Sequence, residues 1–184
     1  NNRTASIDNI YAAITSRTKI IFLANPNNPT GTLVDSAKIE ELANKIPEHI
    51  LLVLDGAYAE YIEKFDGGIA LVEKKSNVFM IRTFSKIYGL GSLRVGWGFG
   101  PKHVVEVLRR VKGPFNISSV GQQVAAVAIK DTEYVDKCRN DNFELRRQLA
   151  EALREISIAS DRSFTNFLLL RFPNTNLAKL YVIR

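Results

Sequence analysis

The sequence predicts an α/β fold: a mostly parallel sheet with helices on both faces, together with part of a smaller α+β domain. Short, continuously apolar segments alternate along the chain with segments of helical periodicity, as in a sheet whose parallel strands are connected by helices. The apolar segments show no alternation with polar residues, which is typical of strands covered on both faces. With 46% apolar residues in a chain of 184, a substantial core can form.

The individual elements are predicted from apolar spacing and from residues that start or stop helices. Ser6 and either Asp35 or Ser36 can cap two of the helices, and Pro101 opens another. After the first strand comes NPNNPTGT, whose prolines and glycine exclude a helix or strand. In chain order we expect a helix at 6–14, a strand at 19–24, a helix at 36–46, strands at 50–54, 78–84 and 94–99, helices at 101–111, 118–130 and 131–156, and a strand pattern at 164–172.

The long amphipathic helix is the expected place for a change of domain. We assign residues 1–140 to a large domain and residues 141–184 to part of a small one. One side of this helix is apolar over its whole length and carries Cys138, Leu145, Leu149, Leu153 and Ile156. These side chains are predicted to face a core.

Composition argues against several classes of protein. The net charge is +6, but lysines and arginines occur singly or in pairs with acidic residues close by, so no nucleic-acid surface is predicted. An apolar run of about 18 residues is missing, so no membrane span is expected. The single cysteine, Cys138, fits a reducing compartment, and we expect a cytoplasmic location. The two histidines, His49 and His103, do not have the spacing of a metal site.

Polar clusters follow three of the predicted strands. NPNNPTG comes after the first, Asp55-Gly-Ala-Tyr58 follows the second, and Thr83-Phe-Ser85-Lys86 follows the third. In open α/β sheets the ligand lies beyond the carboxyl ends of the strands. The three clusters are therefore expected to form one site.

The residue types in these clusters match the needs of pyridoxal phosphate. A neutral lysine amine can bind an aldehyde covalently, and a carboxylate can keep a pyridine nitrogen protonated. The cofactor also requires hydrogen bonds to its ring hydroxyl and donors for its phosphate. Residues that can meet these needs are Lys86 for the aldehyde, Asp55 for the ring nitrogen, Asn28 and Tyr58 for the hydroxyl, and Thr83, Ser85 and Arg94 for the phosphate.

Each of these residues taken alone also fits an ordinary structural role. Asp55 can cap a turn, Tyr58 can pack in the core and Arg94 can form a surface ion pair. The pair Gly89-Leu-Gly91 resembles half of a dinucleotide-binding motif, but Arg94 stands where that motif needs glycine. The prediction of a pyridoxal-phosphate site therefore depends on all three clusters and their order along the chain, and not on any single residue.

The motifs NPNNPTGT, DGAY and TFSKIYGLGSLRVG, in this order and spacing, resemble those of the fold-type-I pyridoxal-phosphate aminotransferases. They are most similar to the histidinol-phosphate branch, which GPFNISS and TNFLLLRF also support. The resemblance implies a homodimer that uses an amino donor and a 2-oxo acid. It implies that Lys86 anchors the cofactor and moves the proton, and it gives the other residues named above the same roles. It adds Arg184, in YVIR, and Asn28 as substrate-binding residues.

The chain also departs from this family pattern. Gly56 stands where the family often has glutamate, and the segment between Phe172 and Tyr181 is short. The chain starts with Asn1 and its only methionine is Met80, so we expect a fragment that lacks both ends of the enzyme. Two alternatives stay open: an aromatic aminotransferase or phospho-amino-acid decarboxylase, and a non-catalytic aminotransferase-like domain that binds an effector.

Overall fold

The computed structural model describes residues 3–182 of the chain. Within these residues the elements are the helices α1 Ile7–Ala12, α2 Ser36–Lys45, α3 Ile69–Lys74, α4 Lys102–Val111, α5 Ser119–Ala128, α6 Thr132–Glu155 and α7 Thr175–Val182, and the strands β1 Ile20–Ala24, β2 Leu51–Asp55, β3 Val78–Thr83, β4 Gly96–Phe99, β5 Ala159–Ser160 and β6 Leu170–Arg171. None of the helices in this part of the chain is both long enough and apolar enough to cross a membrane.

The main sheet has four strands in the order β1-β2-β3-β4. The first three strands are parallel, and β4 pairs antiparallel with β3. The register aligns Ala24 with Asp55 and Asp55 with Ile81, so the strands β1, β2 and β3 end at one edge. β5 and β6 form a separate antiparallel pair. The predicted α/β class with a largely parallel sheet is confirmed.

The principal core lies on one face of the sheet. Alternate strand residues pack there against the apolar sides of α1, α2 and α3, and several of them, such as Leu52 and Met80, are fully buried. A second cluster joins Phe84 to Val95 and to Ala125 of α5. On the other face of β1, Phe22 is 71% exposed among the described residues.

Predicted helix starts agree with the structure. The side chains of Ser6, Asp35, Ser118 and Asp131 each accept a hydrogen bond from a backbone N–H in the first turn of α1, α2, α5 and α6, respectively. Such caps satisfy donors that the helix itself leaves without partners. The helices consequently begin within one or two residues of their predicted starts.

Other local predictions were wrong. Helix α3 was not predicted; it has only six residues and follows Gly68, whose φ is 101°. The strand expected from residue 94 starts at Gly96, since Arg94 also has a positive φ, 53°. The strand pattern at 164–172 yields only Leu170–Arg171.

The long helix is continuous through the proposed domain boundary at residue 140, and this boundary remains a prediction. The expectation that its apolar side faces a core is not met in the described residues. Leu145, Leu149 and Ile156 are exposed, whereas Cys138 is half-buried.

Candidate active site

A cleft of about 320 Å³ lies at the carboxyl edge of the main sheet. It is lined by residues that end or follow β1 and β2, and by the lysine that follows β3: Ala24, Pro26, Asn28, Asp55, Ala57, Tyr58 and Lys86. Four predicted site residues, Asn28, Asp55, Tyr58 and Lys86, therefore come together in one cavity. Three different strand ends supply them.

The position of Lys86 is set by the turn after β3. Ser85 donates its backbone N–H to Thr83 Oγ1 (3.0 Å), and Gly89 donates to the Lys86 carbonyl (2.9 Å). Gly89 has a φ of 69°, a conformation that glycine adopts without a steric cost. Leu90 then donates to the Phe84 carbonyl and closes the turn. This arrangement leaves Lys86 half-buried, with its Nζ 5.3 Å from the ring centre of Tyr58.

Asp55 is the last residue of β2 and is half-buried. Its Oδ1 accepts a hydrogen bond from the backbone N–H of Ala57 (3.0 Å), which fixes the carboxylate at the start of the turn. The backbone N–H of Gly56 donates to the Ile81 carbonyl (2.9 Å) and extends the β2–β3 pairing. Within residues 3–182, no lysine or arginine nitrogen lies within salt-bridge distance of the Asp55 carboxylate.

Tyr58 connects the turn after β2 with the loop after β1. Asn28 Nδ2 donates to the Tyr58 hydroxyl (3.1 Å). The ring of Tyr58 is 5% exposed and meets Phe167 edge-on, with 5.4 Å between the ring centres. The loop is held in turn by the Asn25 side chain, which donates to the Val34 carbonyl and accepts from the Val34 N–H. The hydroxyl end of Tyr58 is thus placed by contacts on both sides.

Three predicted phosphate-binding residues lie outside this cleft. Thr83 and Ser85 are half-buried at the end of β3. Arg94 is exposed, and its Nη1 donates to the Gly91 carbonyl (2.9 Å) of its own turn. Arg184, the predicted substrate-binding arginine, lies outside the described residues.

Sequence reasoning missed two contacts near the site. The first is the ring contact of Phe167, for which the only signal was its place in TNFLLLRF. The second involves Arg82, a residue without a predicted role. Its Nη1 lies 3.0 Å from Glu60 Oε1, and both side chains are nearly buried. Burial raises the pKa of the Glu60 carboxyl, and the charge of Arg82 opposes that shift.

Tyr61, next to Glu60, does not line the cleft. Its ring centre is 6.3 Å from that of Tyr58. Burial raises the pKa of Tyr61 to about 12, so its phenol stays neutral over the range in which most enzymes work. Because Tyr61 is close to the site without lining it, it offers a matched control for Tyr58.

The fold and this cleft define a class of α/β protein with its ligand site at the carboxyl edge of the sheet. Comparison with known families refines that class. Residues 1–181 match the family model described as "Aminotransferase class I and II". The chain belongs to this family.

Curated relatives agree with the family match. The chain is 53% identical over 177 residues to a histidinol-phosphate aminotransferase of Cereibacter sphaeroides, covering 96% of this chain and 49% of the relative. It is 50% identical over 177 residues to a histidinol-phosphate aminotransferase of a Ruegeria species, again covering 96% and 49%. The chain thus spans about half the length of the curated relatives that it matches.

A solved structure shows the same fold. The histidinol-phosphate aminotransferase of Sinorhizobium meliloti, in complex with pyridoxal-5'-phosphate, superimposes with a TM-score of 0.80 and 29% identity. The match covers 85% of this chain and 43% of that chain.

Proposed function

We propose that the protein is a pyridoxal-phosphate-dependent aminotransferase of histidine biosynthesis that converts histidinol phosphate and 2-oxoglutarate into their transamination products. The observation that carries the proposal is the convergence of Lys86, Asp55, Tyr58 and Asn28 on one cleft. The names of curated relatives at about 50% identity support the choice of substrate.

The chemistry of the cleft fits the cofactor. Its volume of about 320 Å³ lies in the range of small-molecule pockets. Three kinds of group line this volume from different strand ends: an amine, a carboxylate and a phenol–amide pair. These are the groups that an aldehyde, a pyridine nitrogen and a ring hydroxyl require, respectively. When bound, pyridoxal phosphate supplies a ring that withdraws electrons from the α-carbon of an amino acid.

The residues of the chain then have distinct tasks. Lys86 Nζ would hold the cofactor through its aldehyde carbon, and once freed by the substrate amine it would be the base that takes the proton from the substrate α-carbon. The Asp55 carboxylate keeps the ring nitrogen protonated, and the Tyr58 hydroxyl and Asn28 amide bind the ring hydroxyl. Tyr58 also lies over Lys86 Nζ, so it limits where the amine can move.

The remaining predicted residues complete the proposal. Thr83, Ser85 and Arg94 hold the phosphate, for which Arg94 has to turn away from the Gly91 carbonyl. Asn28 and Arg184 contact the substrate. We also propose a homodimer with shared active sites and, from the single cysteine, a cytoplasmic location.

A substrate panel tests the proposed reaction. The full-length protein is expected to consume histidinol phosphate with 2-oxoglutarate at a higher kcat/KM than any aromatic amino acid. Higher kcat/KM with an aromatic amino acid would favour the aromatic aminotransferase, and release of carbon dioxide would favour the decarboxylase. Cofactor binding without turnover of any substrate would favour the effector-binding domain.

Replacing Tyr58 with phenylalanine should weaken cofactor binding moderately. The substitution keeps the ring contact with Phe167 but removes the hydroxyl that Asn28 Nδ2 contacts. A hydrogen bond of this type contributes about 0.5–1.5 kcal/mol, so the Kd for pyridoxal phosphate should rise roughly 2- to 10-fold. Absorbance titration of the full-length protein measures this, with Tyr61→Phe as the control. An equal effect of both substitutions would remove the Tyr58 hydroxyl from the site.

A further inference from the structure

Arg82 is an arginine buried inside the fold. It lies on β3, one residue before the strand ends, and is 8% exposed. Its guanidinium has three partners: Nη1 pairs with Glu60 Oε1 (3.0 Å), Nη2 donates to the Asp66 carbonyl (2.7 Å), and Nε approaches Met80 Sδ (3.4 Å). A buried guanidinium is tolerated only with such partners, because desolvation of the charge is costly.

Two of the three partners of Arg82, Glu60 and the Asp66 carbonyl, belong to one segment, residues 56–67, which leaves the cleft. This segment starts directly after Asp55 and contains Tyr58. Glu60 lies within it and Asp66 near its end, so the guanidinium contacts the segment at two separated points. Arg139 of α6 adds a third tie, since its Nε donates to the Glu60 carbonyl (2.8 Å).

The start of the same segment touches the stem of Arg82. A Cβ atom added at Gly56 would lie 2.8 Å from Arg82 Nε and 2.9 Å from Cδ. Both distances are shorter than van der Waals contact allows, and the guanidinium cannot move freely because its partners hold it. Gly56 has no positive φ, so its reason for being glycine is space and not backbone conformation.

We propose that Arg82 is a positioning residue for the cofactor cleft, and that Gly56 is glycine because the Arg82 side chain occupies the space beside it. Within residues 3–182, the ion pair and hydrogen bonds of Arg82 all go to residues outside the cleft lining. Arg82 acts through the segment that it holds against β3, and thereby sets where Asp55 and Tyr58 lie relative to Lys86. This inference rests on the proposed function, because the cleft is taken as the pyridoxal-phosphate site.

A double-mutant cycle between positions 56 and 82 tests the inference in the full-length protein. Gly56→Ala in the otherwise unchanged protein should raise the Kd for pyridoxal phosphate about tenfold, since small displacements in a site have effects of at least this size. In the Arg82→Ala background the space is vacant, so the same substitution should change the Kd less than about twofold. Gly113→Ala is the control, because nothing lies within 4 Å of an added Cβ there.

The same cycle has a readout that does not depend on the cofactor. In urea unfolding of the cofactor-free protein, Gly56→Ala should lower the urea concentration at the midpoint when Arg82 is present. In the Arg82→Ala variant the same substitution should leave that midpoint nearly unchanged. Equal shifts of midpoint and Kd in both backgrounds would overturn the inference. If Gly56→Ala changed the urea midpoint only when Arg82 is present but left the Kd for pyridoxal phosphate unchanged, Arg82 would have a purely structural role. That result would also overturn the inference.

A second variant covers the case in which Arg82→Ala does not fold. Glu60→Gln keeps the side-chain volume but removes the charge that faces Arg82, and it should raise the Kd several-fold. An unchanged Kd would contradict the positioning role. Failure of the unmodified full-length protein to bind pyridoxal phosphate would instead contradict the proposed function, so the two failures are distinguishable.

Discussion

Lys86→Ala is expected to abolish the visible absorbance of the cofactor-bound protein and to reduce turnover by roughly 10²- to 10⁴-fold or more. The reason is that one amine performs two tasks in the proposed reaction: Nζ holds the aldehyde and then moves the substrate α-proton. The turn after β3 brings this amine to the cleft, and among residues 3–182 no other lysine lines it. The measurement is an absorbance spectrum and a steady-state assay of the full-length variant with pyridoxal phosphate.

Lys102→Ala provides the matched control for this substitution. Lys102 is an almost fully exposed lysine at the start of α4, and its salt bridge with Glu106 is long, 3.8 Å. Its removal should leave both the spectrum and the rate unchanged. If Lys86→Ala retained both as well, the assignment of Lys86 would be wrong.

Asp55→Asn is expected to retain part of the cofactor but to lose rate. Asparagine keeps an oxygen that can accept the hydrogen bond from Ala57 N–H, so the turn should survive. It removes the charge that, in the proposed site, would keep the ring nitrogen protonated. A charge-assisted hydrogen bond contributes about 1.5–3 kcal/mol, which corresponds to a loss of roughly 10- to 150-fold in kcat.

The ratio of effects on kcat and KM separates this role from simple damage to the fold. We expect most of the loss from Asp55→Asn in kcat, because the interaction strengthens as the ring accepts electrons. Asp141→Asn, at an exposed position of α6, is the control. An Asp55→Asn protein with unchanged kcat would place Asp55 outside the reaction.

Much of the fold follows from local sequence signals. β1, β2 and β3 are apolar runs bounded by turn residues, and capping side chains mark the starts of several helices. The cleft was predictable for a topological reason, because parallel strands bring the residues at their carboxyl ends to one edge. Lys86, Asp55 and Tyr58 meet there as expected, although they are far apart in the chain.

Contacts between distant segments were not predictable in this way. Phe167 reaches Tyr58 only through the packing of the chain after α6 against the cleft, and no local pattern records that. An arginine in a strand is ordinarily expected to face solvent, yet Arg82 is buried because Glu60 and the Asp66 carbonyl compensate its charge. Arg94 has a positive φ, and its side chain donates to the Gly91 carbonyl; neither feature was predictable from its motif, and its role as a phosphate ligand stays a prediction.

The central claim is that Lys86 is the residue that binds the aldehyde of pyridoxal phosphate. Borohydride reduction of the full-length protein with the cofactor, followed by peptide mass mapping, tests it most directly, because reduction makes the lysine–cofactor bond permanent. We expect the added cofactor mass on the peptide that contains Lys86 and on no other. A label on a different lysine, or no label on any peptide, would contradict it.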